Sequence, residues 1–130
     1  MGVYVFEVKN TPWIKVGHHK ITRSRPNVYF RVARRGFHSC VHPSELHDKL
    51  DEEHLTLLRW YPTLTKREER LAHRSCQVSH GEFHARTDLP HAIACLDAHG
   101  ASEPVSPSQR TAALKWAKKS PDKKKKLGLT

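Results

Sequence analysis

Residues 3–8 read Val-Tyr-Val-Phe-Glu-Val, an alternating run of β-branched and aromatic side chains. A period of two over such residues is the signature of a strand with two differently populated faces. Val3 and Val5 face one way, and Tyr4 and Phe6 the other. Asn10, Thr11 and Pro12 then break the run, and Trp13, Ile14, Lys15 and Val16 resume it. Turn residues between two short extended runs predict a β-hairpin, here closing at Gly17. The rest of the chain must be built onto this sheet.

Residues 18–26 are polar and basic and predict a loop ending at Pro26. Asn27 is a helix-capping residue, so a helix is expected over 28–35, although Val28, Phe30 and Val32 alternate and fit a strand as well. Pro43-Ser44-Glu45 opens a predicted helix at 44–53, with Leu46 and Leu50 as its apolar stripe. Residues 55–61 predict a third strand, closed by Pro62. Thr65 with Glu68 matches a capping box at the head of a helix over 65–76. Phe83 falls in a short extended piece, and residues 89–98 form a further helix with Pro90 at its start, where proline is tolerated. The expected fold is a small α/β (α+β) domain over 1–99. It has a central three-stranded, mostly antiparallel sheet flanked by helices. A Gly/Pro/Ser linker at 100–108 leads to a short helix and basic flexible tail at 109–130.

Charge sharpens this division. The 130 residues carry 23 Lys+Arg against 13 Asp+Glu, a formal +10. Residues 1–35 and 109–130 hold +7 each, and the stretch between them is mildly acidic. Blocks of this kind suit a polyanion. No apolar run approaches the ~18 residues of a membrane helix, and the first residues lack the pattern of a secretory signal. Cys40, Cys76 and Cys95 are far apart, an odd set with no CxxC, which favours reduced thiols. The expected location is therefore intracellular, in the cytoplasm or nucleus of a host cell, with no membrane contact.

Five short motifs lie in register. Gly2-Val3-Tyr4 is followed by Lys15-Val16-Gly17. Asn27-Val28-Tyr29-Phe30-Arg31 comes next, then Glu69-Arg70-Leu71-Ala72-His73, and Gly81-Glu82-Phe83-His84 closes the set. Their order and approximate spacing resemble the GIY-YIG nuclease superfamily, and within it the viral and phage branch, in which Lys commonly replaces the second Tyr. The resemblance implies a metal-dependent endonuclease that hydrolyses nucleic-acid phosphodiester bonds, with DNA the expected form. It implies a catalytic Arg31 and a Glu69 that holds a divalent metal. Two departures are visible: the stretch from Gly17 to Arg31 is long and contains His18-His19, and the stretch from Gly36 to Leu55 exceeds what a minimal fold needs.

The residue chemistry suits that reading. A lone carboxylate such as Glu69, with water and phosphate oxygens, is reasonable for Mg²⁺ or Mn²⁺. Glu68 is used by the cap, which leaves Glu69 for the site. His73 lies four residues on and shares its helix face. Arg31 offers a planar fork to phosphate oxygens. Tyr4 is placed to orient or deprotonate water, but a phenol is a poor base at neutral pH unless a cation such as Lys15 lowers its pKa. His18 and His19 are alternatives, since imidazoles titrate nearer neutrality. Lys20, Arg23, Arg25, Arg34 and Arg35 surround this segment as phosphate contacts, which position a nucleic acid without reading its bases. Lys123, Lys124, Lys125 and Lys126 form a polybasic run suited to salt-sensitive binding.

His38, Cys40 and His42 alternate and would put three ligands on one strand face. A structural zinc is the option they raise, and the lack of any short zinc-binding spacing argues against it. His80 and His84 flank the Gly-Glu-Phe element and read as surface groups or supports for the site. Cys76 and Cys95 read as core thiols. The rival to an enzyme is a catalytically weak or inactive nucleic-acid-binding protein on the same fold, genome-associated or structural.

Overall fold

A computed structural model describes residues 2–19, 41–50 and 54–103. Strand β1 (Gly2–Val8) and β2 (Trp13–His19) form the expected hairpin, with Asn10 at φ 60° in its turn. β2 runs past Gly17 to His19, because Gly2 and Val3 of β1 remain to be paired there. The third strand, β3 (Leu55–Tyr61), pairs antiparallel with the other edge of β1, with a bulge between Val5 and Phe6. The three predicted strands are thus present, but the sheet is larger than three. β4 (Ser79–His80) and β5 (Phe83–Ala85) make a small hairpin that docks on β2. The result is a five-stranded antiparallel sheet of order β3-β1-β2-β5-β4. Strands of two and three residues carry almost no periodicity, so the sequence shows only the extended piece at Phe83.

Two helices flank the sheet. α1 (Lys66–Ser75) begins at Thr65, whose side chain accepts from the Arg67 amide while the Glu68 carboxylate accepts from the Thr65 amide. This is the predicted capping box, and it uses Glu68 as expected. α2 (Leu89–Asp97) starts with Pro90 in its first turn. The predicted helix at 44–53 is instead a single 3₁₀ turn at Ser44–Leu46. Leu46 and Leu50 are both buried all the same. Their i,i+4 spacing reflected two anchors for one apolar face rather than a helical stripe. The predicted helix over 28–35 and the segment over 109–130 lie outside the described residues.

The pleat of β1 divides the core in two. Val3 and Val5 join Val16, Tyr61, Leu64, Ala72, Ala92 and Leu96, which places α1 and α2 on that face. Tyr4, Phe6 and Val8 join Leu46, Leu50, Leu55, Leu57, Trp60 and Phe83 on the opposite face. Tyr61 fastens β3 to α2 through a 2.7 Å bond from its hydroxyl to Asp97 Oδ1. Glycine at two β positions is explained by space. A Cβ on Gly2 would lie 2.4 Å from the Trp60 ring, and one on Gly17 would lie 2.3 Å from the Tyr4 hydroxyl. Among the described residues, no helix is long and apolar enough to cross a membrane.

Candidate metal centre

The end of the sheet that holds Gly2, Gly17 and His19 gathers the polar residues. Lys15 pairs across the hairpin with Phe6, so it shares a face with Tyr4. Its stem is buried at 2% exposure, and its Nζ donates to the Tyr4 hydroxyl at 3.1 Å and to Glu82 Oε1 at 2.7 Å. Glu82 sits in the tight turn between β4 and β5, where Gly81 adopts φ 64°, a conformation that favours glycine. The Val16 amide donates to the Glu82 carbonyl and fixes that turn against β2.

α1 brings the remaining groups. Ala72 packs into the sheet core and orients the helix. Glu69 is thereby buried at 5% exposure near one end of the sheet. His73, one turn further along, places its Nε2 3.6 Å from Glu69 Oε2. Ligand atoms of Glu69, His73 and Glu82 all lie within 4.8 Å of one another. Two donors about 2.1 Å from one cation span up to about 4 Å, so this separation is nearly that of a shared ion. Glu69 Oε2 and His73 Nε2 are buried and make no hydrogen bond. Buried polar atoms are otherwise almost always bonded. Two carboxylates and an imidazole with surplus lone pairs form a cluster able to coordinate a divalent cation.

The electrostatics agree. For Glu69, burial raises the pKa, but neighbouring His73 and Glu82 outweigh it and hold the carboxyl below its ordinary value. For Glu82, burial pushes the pKa up, and Lys15 offsets this only in part. One carboxyl of the pair is therefore ionised while the other resists ionisation, the usual outcome for two acids sharing one space. Burial works against the Lys15 ammonium too, yet Tyr4 and Glu82 hold its pKa above the ordinary lysine value.

Burial raises the Tyr4 pKa, and Lys15 offsets that only partly. The hydroxyl accepts from Lys15 and is held over Gly17.

The fold brings Tyr4, Lys15, Glu69 and His73 together from three motifs. His18 lies close enough for its charge to act on Glu69. His19 is on β2, with only its backbone described. Arg31, Lys20, Arg23, Arg25, Arg34, Arg35 and Lys123 to Lys126 lie outside the described residues, as do His38 and Cys40. His42 stacks on His47 with ring centroids 5.5 Å apart.

Sequence reasoning gave Glu82 no role and left His84 between a surface group and a support for the site. Glu82 stood inside a recognised motif but received no role, because nothing local shows that a turn residue reaches a helix 13 positions back in the chain. His84 is fully buried, and its Nε2 lies 2.6 Å from His73 Nδ1. It pairs with Ile14, which turns it to the helix face. Cys76 and Cys95 are half-buried against the helix-side core, and burial pushes the Cys76 thiol up to about 11. Such a thiol is inert. Searches among family models, curated proteins and solved structures return no match to this chain.

Proposed function

We propose that this domain is a metal-dependent endonuclease of the GIY-YIG type, acting on nucleic acid and by expectation on DNA. The observation that carries the reading is the Glu69–His73–Glu82 cluster, built around the buried Glu69 beside the Tyr4–Lys15 pair, with two buried polar atoms that make no hydrogen bond. Glu69 and His73 come from α1, Tyr4 and Lys15 from β1 and β2, and Glu82 from the β4–β5 turn.

The donor set fits a divalent cation such as Mg²⁺ or Mn²⁺, with Glu69, His73 and Glu82 as its holders. The chemistry such an ion supplies when bound is neutralisation of charge at the scissile phosphate and a lowered pKa for water. Lys15 holds Glu82 and Tyr4 in place and adds a positive charge to the same pocket. Tyr4 orients water or phosphate through its hydroxyl. Proton transfer from water falls to a nearby imidazole, His18 or His19, because burial disfavours the Tyr4 phenolate. Arg31 forks onto phosphate oxygens and opposes the charge of the transition state. Lys20, Arg23, Arg25, Arg34 and Arg35 hold the backbone beside it, and the run from Lys123 to Lys126 adds salt-sensitive affinity.

The test is cleavage of supercoiled and single-stranded DNA with Mg²⁺, Mn²⁺ or EDTA, run beside Glu69→Ala and Arg31→Ala. Metal-dependent cutting lost in both variants is the expected result. Tight, salt-sensitive binding with no cleavage in any metal would instead support the second reading, a nucleic-acid-binding protein on the same fold. One observation favours that reading: the buried Tyr4 hydroxyl and the Lys15 ammonium are already committed to each other and to Glu82.

A further inference from the structure

A chain of hydrogen bonds runs away from the cluster into the core, and its directions can be assigned. A backbone carbonyl can only accept. The Val78 carbonyl is 2.9 Å from His84 Nδ1, so that nitrogen carries a proton. Ser79 Oγ lies 3.1 Å from the same nitrogen and leaves the assignment unchanged, since a hydroxyl can accept as well. The His84 ring is fully buried, and its bonds run to a carbonyl, a hydroxyl and a second imidazole, with no carboxylate among them. A ring so placed is neutral, and its Nε2 is a bare acceptor.

That acceptor lies 2.6 Å from His73 Nδ1, so the His73 proton sits on Nδ1. In neutral imidazole the other nitrogen is then a lone pair. His73 Nε2 is the remaining ring nitrogen, buried and without a hydrogen bond, 3.6 Å from the equally unbonded Glu69 Oε2, and it offers a lone pair when the ring carries its one proton on Nδ1. At 3.6 Å the two atoms are too far apart to share a proton. Two lone pairs facing each other across that gap fit a cation between them.

We propose that His84 is a positioning residue that locks His73 as its Nδ1–H tautomer, presenting His73 Nε2 as a nitrogen ligand beside Glu69 and Glu82, so that the centre prefers a first-row transition cation to Mg²⁺. The inference rests on the metal-centre reading above and narrows the ion it takes. A ligating imidazole that donates its other N–H to a fixed acceptor is oriented and made more basic. Mg²⁺ favours all-oxygen shells, whereas imidazole nitrogen favours later transition ions, in the order Mn²⁺ below Co²⁺.

The experiment uses the full chain with ¹⁵N-labelled histidine. Imidazole ¹⁵N spectra near neutral pH should show His73 protonated at Nδ1 in the metal-free protein. Calorimetric titration should rank Co²⁺ above Mn²⁺ above Mg²⁺, with Co²⁺ at least about 10-fold tighter than Mg²⁺. His84→Leu, which removes the acceptor, should release the tautomer preference and weaken Co²⁺ binding by about 10-fold or more. His84→Gln, whose side-chain oxygen can take the same proton, should restore much of both. A wild-type His73 protonated at Nε2 would overturn the proposal whether or not the leucine variant folds. So would equal affinities for Co²⁺ and Mg²⁺. Tight Co²⁺ binding with DNA left uncut would support this inference and sink the nuclease reading, so the two fail separately.

Discussion

The β1–β2 hairpin is tied to the β5 region by an ionic cluster at each end, and the two clusters differ in what they leave over. At the turn end, Arg86 donates to Glu7 Oε2 at 3.1 Å, to the Val8 carbonyl at 3.3 Å, and to the Thr11 carbonyl through two nitrogens at 3.2 and 3.0 Å. Its backbone amide also donates to the Pro12 carbonyl. A shallow depression of about 680 Å³ lies there, lined by Glu7, Lys9, Asn10, Thr11, Pro12 and Arg86. The guanidinium is spent on the protein's own acceptors. At the opposite end, Lys15, Glu82, Glu69 and His73 also meet, but two buried polar atoms, Glu69 Oε2 and His73 Nε2, make no hydrogen bond. Burying acceptors without donors costs stability. A closed cluster fastens the fold, whereas an open one is what a bound cation requires.

Substitutions should separate the two ends. The largest effect is expected from Glu69→Gln, which keeps shape but removes charge. Cleavage should fall by about 10³-fold, roughly 4 kcal/mol of transition-state stabilisation, while the thermal midpoint falls only slightly, as the lowered Glu69 pKa requires. A midpoint that drops steeply would mark Glu69 as a structural residue and erase the contrast. Arg86→Ala should behave in the opposite way. Loss of its bonds to two carbonyls and Glu7 should cost about 2–3 kcal/mol in urea unfolding, with cleavage per folded molecule unchanged.

Asp88 tests a second closed arrangement. Its carboxylate accepts from the Gln77 amide at 3.0 Å and the Val78 amide at 2.9 Å. Burial opposes ionisation, but those two amides prevail and hold its pKa below the ordinary carboxylate value. A depressed folded pKa stabilises above the unfolded value near 4 and loses that contribution as pH falls through the lowered value. Asp88→Asn should therefore destabilise at neutral pH, and its penalty should shrink in strong acid. A penalty that is flat across the acid range would exclude the carboxylate as its source. The smallest effect is expected at Thr65→Ala, about 1 kcal/mol from the lost cap, read by thermal unfolding. A loss of cleavage beyond that would mean that α1 positions Glu69 through its first turn.

Much of the scaffold is legible because it rests on local rules. The alternation at Val3 to Val8, the turn at 10–12, the Thr65–Glu68 box and Pro90 each declare an element within a few residues. The missed features are those whose signal is shorter than a period or longer than a neighbourhood. β4 and β5 are too short to alternate. Leu46 and Leu50 have the spacing of a helix, but only one 3₁₀ turn forms there, at Ser44–Leu46. For the site, Glu69 was readable because the adjacent Glu68 had a local use. Glu82 was not, and His84 stood open between surface and support, since their partners are brought to them by the docking of a hairpin on β2.

The sequence by itself determined the hairpin, its two faces, the starts of α1 and α2 and the supply of carboxylate, imidazole and ammonium groups. Those follow from steric periodicity and local hydrogen bonding, which act over three or four residues. Only the tertiary structure decided that Lys15 is buried, that Tyr4 is held above its ordinary pKa, and that Glu82 closes on Glu69 and His73. Those depend on which surfaces exclude water together, and burial is a property of the packed molecule rather than of any segment of it.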